Sequence, residues 1–428
     1  MPAASGPDFT SRPLAHGPEA VDKLEVERLR RILKAKEPGS DLLELPDDQL
    51  LLRLGALAPD GDHRLTVAGL LLVGREEILR QELPGHEAAY LHMKSDTEYD
   101  RRVDSRRPLL DLLEQFTRAL EPHNRITTLK MGLFHFEIPD YPEEVCREAL
   151  LNALVHRDYE RPGAVYLRHF PDRLEVSSPG GFFGGVTVEN IIGHEPVTRN
   201  RLLAEVLQRI RLVERAGVGV KRMYHIMLSY GKEPPSYEAG GDYVRLILRS
   251  GRTEATAGFD ETFARFVARE QQDGRELNLP DLLVLTYLKR NRELDLSEAE
   301  RILQRGENET REALSSMTAR GLLEPFGQKK GRVYRLSKKL YARLRKSLSY
   351  QIFVRAETAY AEGTIVAYLD EMPGDRPFVT NEVVRTLLRV SPSQAHYLLH
   401  GLVKKQLLAM RGRGRGAKYY KTRQLSAF

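Results

Sequence analysis

The chain has 428 residues, 41% of them hydrophobic, which is enough to form cores in about three domains. Its one cysteine, Cys146, excludes a disulfide scaffold and is most simply a packing residue in a reducing interior. The net charge of +6 is modest, and the absence of any run of about 20 apolar residues excludes a membrane-spanning helix. We therefore expect a cytoplasmic protein.

The N-terminal quarter is predicted to contain a tail and a small domain. Residues 1–20 are rich in Pro, Gly, Ala and Ser and lack the apolar core of a signal peptide, so we predict a disordered tail. Residues 21–125 are predicted to form an α+β domain. Its expected elements are helices at Val21–Lys36, Leu43–Leu57 and Arg107–Leu120, a buried helix-to-strand segment at Leu65–Val73, and a strand at His86–Met93.

The most informative stretch is Asp140–Asp158, which reads DYPEEVCREALLNALVHRD. Asp140 and Glu143 match a capping box and Pro142 suits a first helical turn, so a helix is predicted to begin here. Apolar residues then recur at helical spacing and predict a buried face.

On another face of this helix, Glu148, Asn152 and His156 recur every four residues and therefore stack along its length. A carboxylate, an amide and an imidazole in this arrangement are able to hold a metal ion and an activated water. The alternative is a solvated polar stripe, and the helix alone does not decide between the two.

Three glycine motifs follow in residues 126–250, which we predict to be a layered α/β domain. They are Gly180-Gly181 after a strand, Gly217-x-Gly219 before a helix, and Gly240-Gly241 before a closing strand. The expected strands are Val165–His169, Leu174–Ser177 and Val244–Leu248, and the expected helices are Pro142–His156, Leu202–Ile210 and Lys221–Ser229.

In this order, the motifs resemble the Bergerat ATP-binding fold of gyrase, MutL, heat-shock chaperone and histidine-kinase ATPases. They resemble more closely its divergent (GHKL-type) branch in bacterial RecG-like ATP-binding transcriptional regulators. The strings that carry the resemblance are NALVHRDY at Asn152–Tyr159, PGG at Pro179–Gly181, RNRLLAEVL at Arg199–Leu207 and GVG at Gly217–Gly219. The resemblance spans Leu43–Arg249. These regulators usually carry a longer Schlafen/AlbA-type nucleic-acid-binding domain at the N-terminus. Residues 21–125 look like a remnant of that domain together with the connector. The nucleic-acid site of the family's N-terminal domain is therefore not assigned to this chain.

The resemblance implies ATP and Mg²⁺ as cofactors. It implies Glu148 as the water-activating base, Asn152 as the Mg²⁺ ligand, and backbone amides at Gly217 and Gly219 around the phosphates. The other residues expected at the nucleotide are His156, Ser178, Gly180, Gly181 and Lys221.

One position departs from the family pattern. In the Bergerat ATPases an aspartate reads the adenine amino group, and the aligned residue here is Ser178, whose uncharged hydroxyl predicts weak affinity. The alternative is a retained fold that serves as a dimerisation or ligand-sensing scaffold. A helicase motor is excluded because Gly231-Lys232 is followed by Glu233 rather than the Ser or Thr of a P-loop.

The C-terminal third is predicted to hold two winged helix-turn-helix modules, at residues 277–340 and 363–428. A linker at 251–276 precedes the first module, and a helical connector at 341–362 separates the two. Each module is expected to have three helices followed by a β-hairpin, with the third helix of the second module starting in a capping box at Ser391–Gln394.

The charge pattern predicts a DNA contact in the second module. Glu382 is the last acidic residue of the chain and ten Lys/Arg residues follow it, which indicates a polyanion partner. Arginines alternate with glycines in the wing, and the third helix offers small and amide groups to base edges. The predicted DNA-binding residues are Ser393, Gln394, His396, Tyr397, Lys404, Lys405, Arg411, Arg413, Arg415 and Lys418, with Lys329, Lys330 and Arg332 on the first wing.

The sequence therefore predicts an α/β central domain of the Bergerat type, an α+β N-terminal domain and two C-terminal winged helices. The leading hypothesis is a nucleoid-associated, homodimeric transcriptional regulator that binds double-stranded DNA. An ATP-hydrolysing enzyme of DNA repair is the alternative, and Glu148→Ala would abolish its function while leaving a scaffold nearly unaffected. A pure protein-interaction adaptor, the third hypothesis, would show no salt-dependent DNA binding.

Overall fold

The computed structural model describes residues 8–131, 134–213, 217–251, 260–291, 293–327, 332–343, 361–370, 372, 377–388, 392–412 and 417–422. The chain divides into two compact units, Met1–Leu283 and Val284–Phe428, which we call the first and the second unit. Among the described residues, no helix has both the length and the apolar character needed to cross a membrane.

The first unit is built on one six-stranded mixed sheet. Its helices are α1 (Lys23–Lys36), α2 (Asp47–Leu54), α3 (Val67–Val73), α4 (Glu76–Glu82), α5 (Leu109–Leu120), α6 (Glu143–Val155), α7 (Arg201–Arg209), α8 (Val218–Ser229) and α9 (Glu261–Gln272). Its strands are β1 (Ala88–Met93), β2 (Tyr99–Ser105), β3 (Ile126–Met131), β4 (Phe134–Pro139), β5 (Val165–His169), β6 (Arg173–Pro179), β7 (Ser236–Ala239) and β8 (Tyr243–Arg249). The sheet order is β2-β1-β5-β6-β8-β7, and β3 and β4 form a separate hairpin.

This topology corrects the domain boundary predicted at residue 125. Strand β1 pairs in parallel with β5, Tyr90 opposite Leu167, so the predicted N-terminal and central domains share one sheet. They also share one core, in which Leu70 of α3, Leu150 of α6 and Leu246 of β8 belong to the same buried cluster. The boundary was wrong because a parallel strand pair between distant segments leaves no local mark in the sequence.

The start of α6 also differs from the prediction. Pro142 itself is the N-cap, no side chain caps the helix there, and Asp140 is buried instead of capping. Asn124 fixes the preceding turn, since its amide group donates to the Tyr141 carbonyl oxygen (2.7 Å) and accepts from the Tyr141 N–H (2.9 Å). These two bonds hold the Tyr141 ring in the core, and this anchoring replaces the predicted capping box.

Residues 8–20, predicted to belong to a disordered tail, pack onto the first unit. The Leu14 N–H donates to the Leu65 carbonyl oxygen (2.8 Å), and both Thr10 and Leu14 are buried. The segment also caps α7, because Asp8 Oδ2 accepts from the Leu202 N–H (2.7 Å) and Thr10 Oγ1 from the Leu203 N–H (3.3 Å). A Pro- and Gly-rich composition indicated disorder, but long-range contacts order this stretch.

Replacing Asp8 with alanine is expected to lower the free energy of unfolding by about 1 kcal/mol, the usual effect of removing a helix cap. The loss arises because the Leu202 N–H at the start of α7 loses its acceptor, as do the N–H and the hydroxyl of Thr10. Asp8→Asn keeps an acceptor oxygen and should lose less, and the exposed Asp62→Ala serves as control. Chemical denaturation of the full chain measures all three; equal stability of Asp8→Ala and wild type would contradict the capping role.

The predicted linker at 251–276 contains a packed helix. Within α9, Phe263 and Phe266 are buried, and the Asp260 carboxylate caps the helix by accepting from the Phe263 N–H (2.9 Å). Residues 252–259 lie outside the described part of the chain. The linker prediction was therefore too long at its C-terminal side.

The second unit begins within α10 and contains two successive sets of helices with a hairpin. The first set is α10 (Leu279–Arg290), α11 (Leu296–Leu303), α12 (Glu307–Ala319), β9 (Leu323–Phe326) and β10 (Val333–Leu336). After α13 (Lys338–Arg343), the second set is α14 (361–370), β11 (Phe378–Val379), α15 (Asn381–Leu388), α16 (Pro392–Lys404), β12 (Leu408–Arg411) and β13 (Lys418–Lys421). Ile365, Val384 and Leu399 lie in one buried cluster, so the helices of the second set share a core.

Candidate functional site

A cavity in the first unit gathers most of the predicted site residues. Its walls come from α6, α7, the start of α8, strands β6, β7 and β8, and residues 182–198, which we call the covering segment. The predicted residues that line it are Glu148, Asn152, His156, Ser178, Gly180, Gly181, Gly217 and Gly219. Lys221 is exposed and is not among the lining residues.

Glu148 and Asn152 form a hydrogen-bonded pair under the start of α8. Asn152 Nδ2 donates to Glu148 Oε1 at 3.1 Å, one helical turn apart on α6. The backbone at Gly219 lies directly against this pair, because a Cβ atom there would stand 1.7 Å from Glu148 Oε1. The second glycine of Gly217-x-Gly219 thus lets α8 approach the carboxylate closely, and a side chain there would displace Glu148.

The N-terminus of α8 opens onto the cavity. Gly217 is the N-cap, in the left-handed region with φ 61°, and no side chain caps the helix there. A side chain at Gly217 would also crowd Pro196 of the covering segment, since its Cβ would lie 2.9 Å from Pro196 Cβ. Amide groups of the first turn that lack side-chain caps, together with the positive end of the helix dipole, make this terminus suited to an anion.

The residues that follow His156 fix the end of α6. Arg157 is fully buried (0% exposed) and donates to the carbonyl oxygens of Gly85, Glu87 (3.2 Å) and Gly163 (2.6 Å). Tyr159 donates its hydroxyl to the Leu154 carbonyl oxygen at 3.0 Å. These residues hold the helix in place and do not line the cavity.

Asn200, also buried, connects α7 to the same turn. Its Nδ2 donates to the carbonyl oxygens of Val155 (2.8 Å) and Arg157 (2.7 Å). The two acceptors belong to the C-terminal end of α6 and the residue beyond its cap. The RN motif at 199–200 therefore ties α7 to the helix that carries Glu148 and Asn152.

Arg199 borders the far end of the cavity beside His156. Its guanidinium donates to Asp158 Oδ2 (3.2 Å) and to the Gly181 carbonyl oxygen (3.2 Å), and it lies over the Phe183 ring. The cavity leaves His156 accessible to water, yet protein surrounds its ring closely enough that burial lowers its pKa, and the Arg199 charge lowers it further. The imidazole is therefore neutral at neutral pH.

Ser178 lies in the sheet wall of the cavity. It is 8% exposed, sits on β6 opposite Val244 of β8, and precedes the Gly180-Gly181 turn by two residues. The strand residues that line the cavity with it are Val176, Tyr237, Val244 and Leu246, all apolar or aromatic, and Phe182 and Phe183 of the covering segment line the same cavity.

The sequence interpretation did not single out the covering segment or the role of Arg199. A signal was present, because Phe182-Phe183-Gly184-Gly185 pairs aromatic and glycine residues directly after the Pro179–Gly181 motif. Gly184 has φ 66°, and a Cβ atom there would lie 2.4 Å from Val197 Cγ1, so the glycine permits a tight fold of the segment. Among the described residues, no group of three or more His, Cys, Asp and Glu side chains is arranged to hold a metal.

Only part of the predicted DNA-binding set can be located. His396, Tyr397, Lys404, Arg411, Lys418 and Arg332 are exposed. Lys405 instead pairs with the buried carboxylate of Glu362, so it has a structural partner that the prediction did not foresee. Lys329, Lys330, Arg413 and Arg415 lie outside the described residues, as do the side chains of Ser393 and Gln394 on α16.

Comparison with known proteins relates part of the chain to an ATPase-like domain. Residues 163–248 match the family described as "Putative ATP-dependent DNA helicase recG C-terminal", and residues 11–89 match a domain of unknown function (DUF8451). The crystal structure of the DIP2311 protein from Corynebacterium diphtheriae, a structural-genomics target, is 27% identical with a TM-score of 0.64, covering 80% of this chain and 67% of that chain. No curated protein matches the chain. The stretch from β5 to β8, which supplies Ser178 and both glycine motifs of the cavity, thus fits a RecG-like ATP-binding domain family.

Proposed function

We propose that the first unit binds a nucleoside triphosphate with Mg²⁺ in this cavity. We further propose that the protein is a homodimeric DNA-binding transcriptional regulator. In this regulator the first unit senses the nucleotide or mediates self-association. The observation that carries the nucleotide site is the chemical difference between the two ends of the cavity. Glu148 and Asn152 meet the N-terminus of α8 at one end, whereas Ser178 lies among apolar side chains at the other.

The spacing of these ends suits a nucleotide. Glu148 and His156 are eight residues apart along α6 and its cap, which corresponds to about 12 Å at the rise of an α-helix. Phosphates at the start of α8 would accept hydrogen bonds from its amide groups. The base would then lie over the sheet wall near Ser178, where apolar side chains favour a flat ring.

The pair on α6 fits a hard cation. Because Asn152 Nδ2 is used by Glu148, the carbonyl oxygen Oδ1 of Asn152 remains as an oxygen donor of the kind Mg²⁺ prefers. When bound, Mg²⁺ would offset the negative charge of the phosphates. Glu148 would orient Asn152 and, in a hydrolysing enzyme, accept a proton from water.

Asn152→Ala is expected to raise the Kd for MgATP at least tenfold, because it removes both the metal ligand and the partner of Glu148. The full chain is titrated with MgATP by calorimetry, with and without a DNA duplex. Asn291→Ala, a polar change outside the cavity, is the control. An unchanged affinity in Asn152→Ala, or no binding by wild type in either condition, would reject the nucleotide site.

Two observations support DNA binding by the second unit. Three helices followed by a hairpin occur twice, which is the element order of a winged helix-turn-helix. The second set is also free of acidic residues after Glu382, and it exposes Lys404 at the end of α16 and Arg411 and Lys418 on the hairpin. The first set is less suited to DNA binding, because Glu307 and Glu309 lie at the start of its third helix and would repel phosphate. A dimer follows from the paired half-sites that such modules usually read.

Replacing Lys404, Arg411 and Lys418 together with alanine is expected to weaken binding to duplex DNA at least tenfold and to lower the slope of log K against log[salt] by about 2–3, as three lost phosphate contacts require. Fluorescence anisotropy at several salt concentrations measures both quantities.

The matched control removes three cations from α1, which are exposed and belong to the first unit: Arg31, Lys34 and Lys36. This control should leave the salt slope unchanged. If both triple variants lost the same affinity for duplex DNA, the binding would depend on net charge alone. That result would contradict the assignment of DNA binding to the second set.

A further inference from the structure

The side chains at the sheet end of the cavity can both donate and accept hydrogen bonds. Ser178 lies in the sheet wall there, and Thr198 lines the cavity next to Arg199, which binds the Gly181 carbonyl oxygen. Each carries a hydroxyl group, which is both a donor and an acceptor of hydrogen bonds. His156 adds a neutral imidazole with one nitrogen of each kind.

Carboxylates line only the other end of the cavity. Of the described lining residues, Glu148 and Glu195 are the acidic ones. Glu148 lies against Gly219 at the start of α8, and Glu195 precedes Pro196, which lies against Gly217. Neither carboxylate belongs to the strands that form the sheet wall around Ser178.

This distribution bears on which base the site accepts. Adenine presents an amino donor at the position where guanine presents a carbonyl acceptor. A carboxylate accepts but never donates when ionised, so it favours adenine and opposes guanine. A hydroxyl turns to suit either base.

We propose, on the basis of the proposed nucleotide site, that it is a purine nucleoside triphosphate site that accepts ATP and GTP alike, with Ser178 as the residue that permits both. The phosphate end contributes nothing to base selection, because it contacts groups that the two nucleotides share. Selectivity for adenine is therefore a property that one side chain can restore. The expected ratio of the two Kd values in the wild type is below about threefold, and a charged acceptor facing the guanine carbonyl oxygen should raise it at least tenfold.

The test compares wild type with Ser178→Asp and Ser178→Asn, two substitutions of nearly equal shape that differ in whether the group can donate. Calorimetry with MgATP and MgGTP gives the ratio of Kd values for each full-length protein. Asparagine should keep the ratio near one, whereas aspartate should weaken GTP at least tenfold relative to ATP. Displacement of bound ATP by GTP in the wild type tests the same point should Ser178→Asp fail to fold.

Wild-type protein that binds ATP more than tenfold better than GTP would overturn the inference and leave the nucleotide site standing. An unchanged ratio in a folded Ser178→Asp protein would do the same. Binding of neither nucleotide would overturn both the inference and the proposed function. Equal, mutually competitive binding in wild type with loss of GTP in Ser178→Asp is the result expected.

Discussion

Arg157→Ala is expected to destabilise the first unit by about 3–5 kcal/mol, because three carbonyl oxygens lose a charged donor at about 1–3 kcal/mol each. The side chain is fully buried and donates to three backbone carbonyl oxygens, those of Gly85, Glu87 and Gly163. Burial lowers the pKa of the guanidinium, but an arginine keeps its charge at neutral pH. Alanine would leave three partly buried acceptors without this donor and open a cavity.

The effect should be large because the three acceptors lie in the segments that lead into two different strands. Gly85 and Glu87 precede β1, and Gly163 precedes β5. Arg157 therefore holds the entry of two parallel neighbouring strands against the end of α6, which carries Glu148 and Asn152. The cavity is expected to be lost with the fold.

Urea denaturation of the full chain measures this loss as a decrease in the free energy of unfolding for the transition of the first unit. Arg157→Lys should be intermediate, because one ammonium group cannot reach three separated carbonyl oxygens as a planar guanidinium does. Arg161→Ala is the control, since its side chain is 50% exposed and such a pair with Asp158 contributes about 0–1 kcal/mol. A change below about 1 kcal/mol in Arg157→Ala would show that other groups hold the strands.

The sequence predicted most elements of residues 140–249 because their signals are local. The helices at α6 and α7 and the strands β5, β6 and β8 lie within a residue or two of their predicted bounds. Helical spacing and glycine breaks report on neighbouring residues and so survive without tertiary information. The six-stranded sheet, by contrast, depends on β1 meeting β5 more than 70 residues later, as the pairing of Ala88 with Val165 shows.

The same distinction applies to the cavity. Glu148, Asn152 and His156 follow from one helical period, and the glycines from their motifs, so local reasoning found them. Lys221 does not line the cavity because the helix starts at Val218: two residues beyond Gly219, it points about 200° away around the axis. The capping of α7 by Asp8 had no local signal at all, since the partners are 194 residues apart.

Gly219→Ala is expected to lower MgATP affinity at least tenfold without lowering stability. Gly219 is the second residue of α8 and its backbone is not in the left-handed region. Alanine therefore suits the helix and should raise the free energy of unfolding by at most about 1 kcal/mol. The new Cβ atom, however, would stand 1.7 Å from Glu148 Oε1 and 2.4 Å from Glu148 Cδ. The end of a flexible side chain gives way more easily than a helix does, so Glu148 must rotate and its hydrogen bond with Asn152 must break.

Thermal unfolding and calorimetry on the same protein separate the two effects. Gly39→Ala, where an added Cβ meets nothing within 4 Å, should change neither quantity. A double-mutant cycle with Glu148→Ala identifies the cause, because Gly219→Ala should cost no further affinity once the carboxylate that it displaces is gone. An additive loss in the double variant would mean that the added methyl group itself obstructs the nucleotide and that the displaced Glu148 is not the cause.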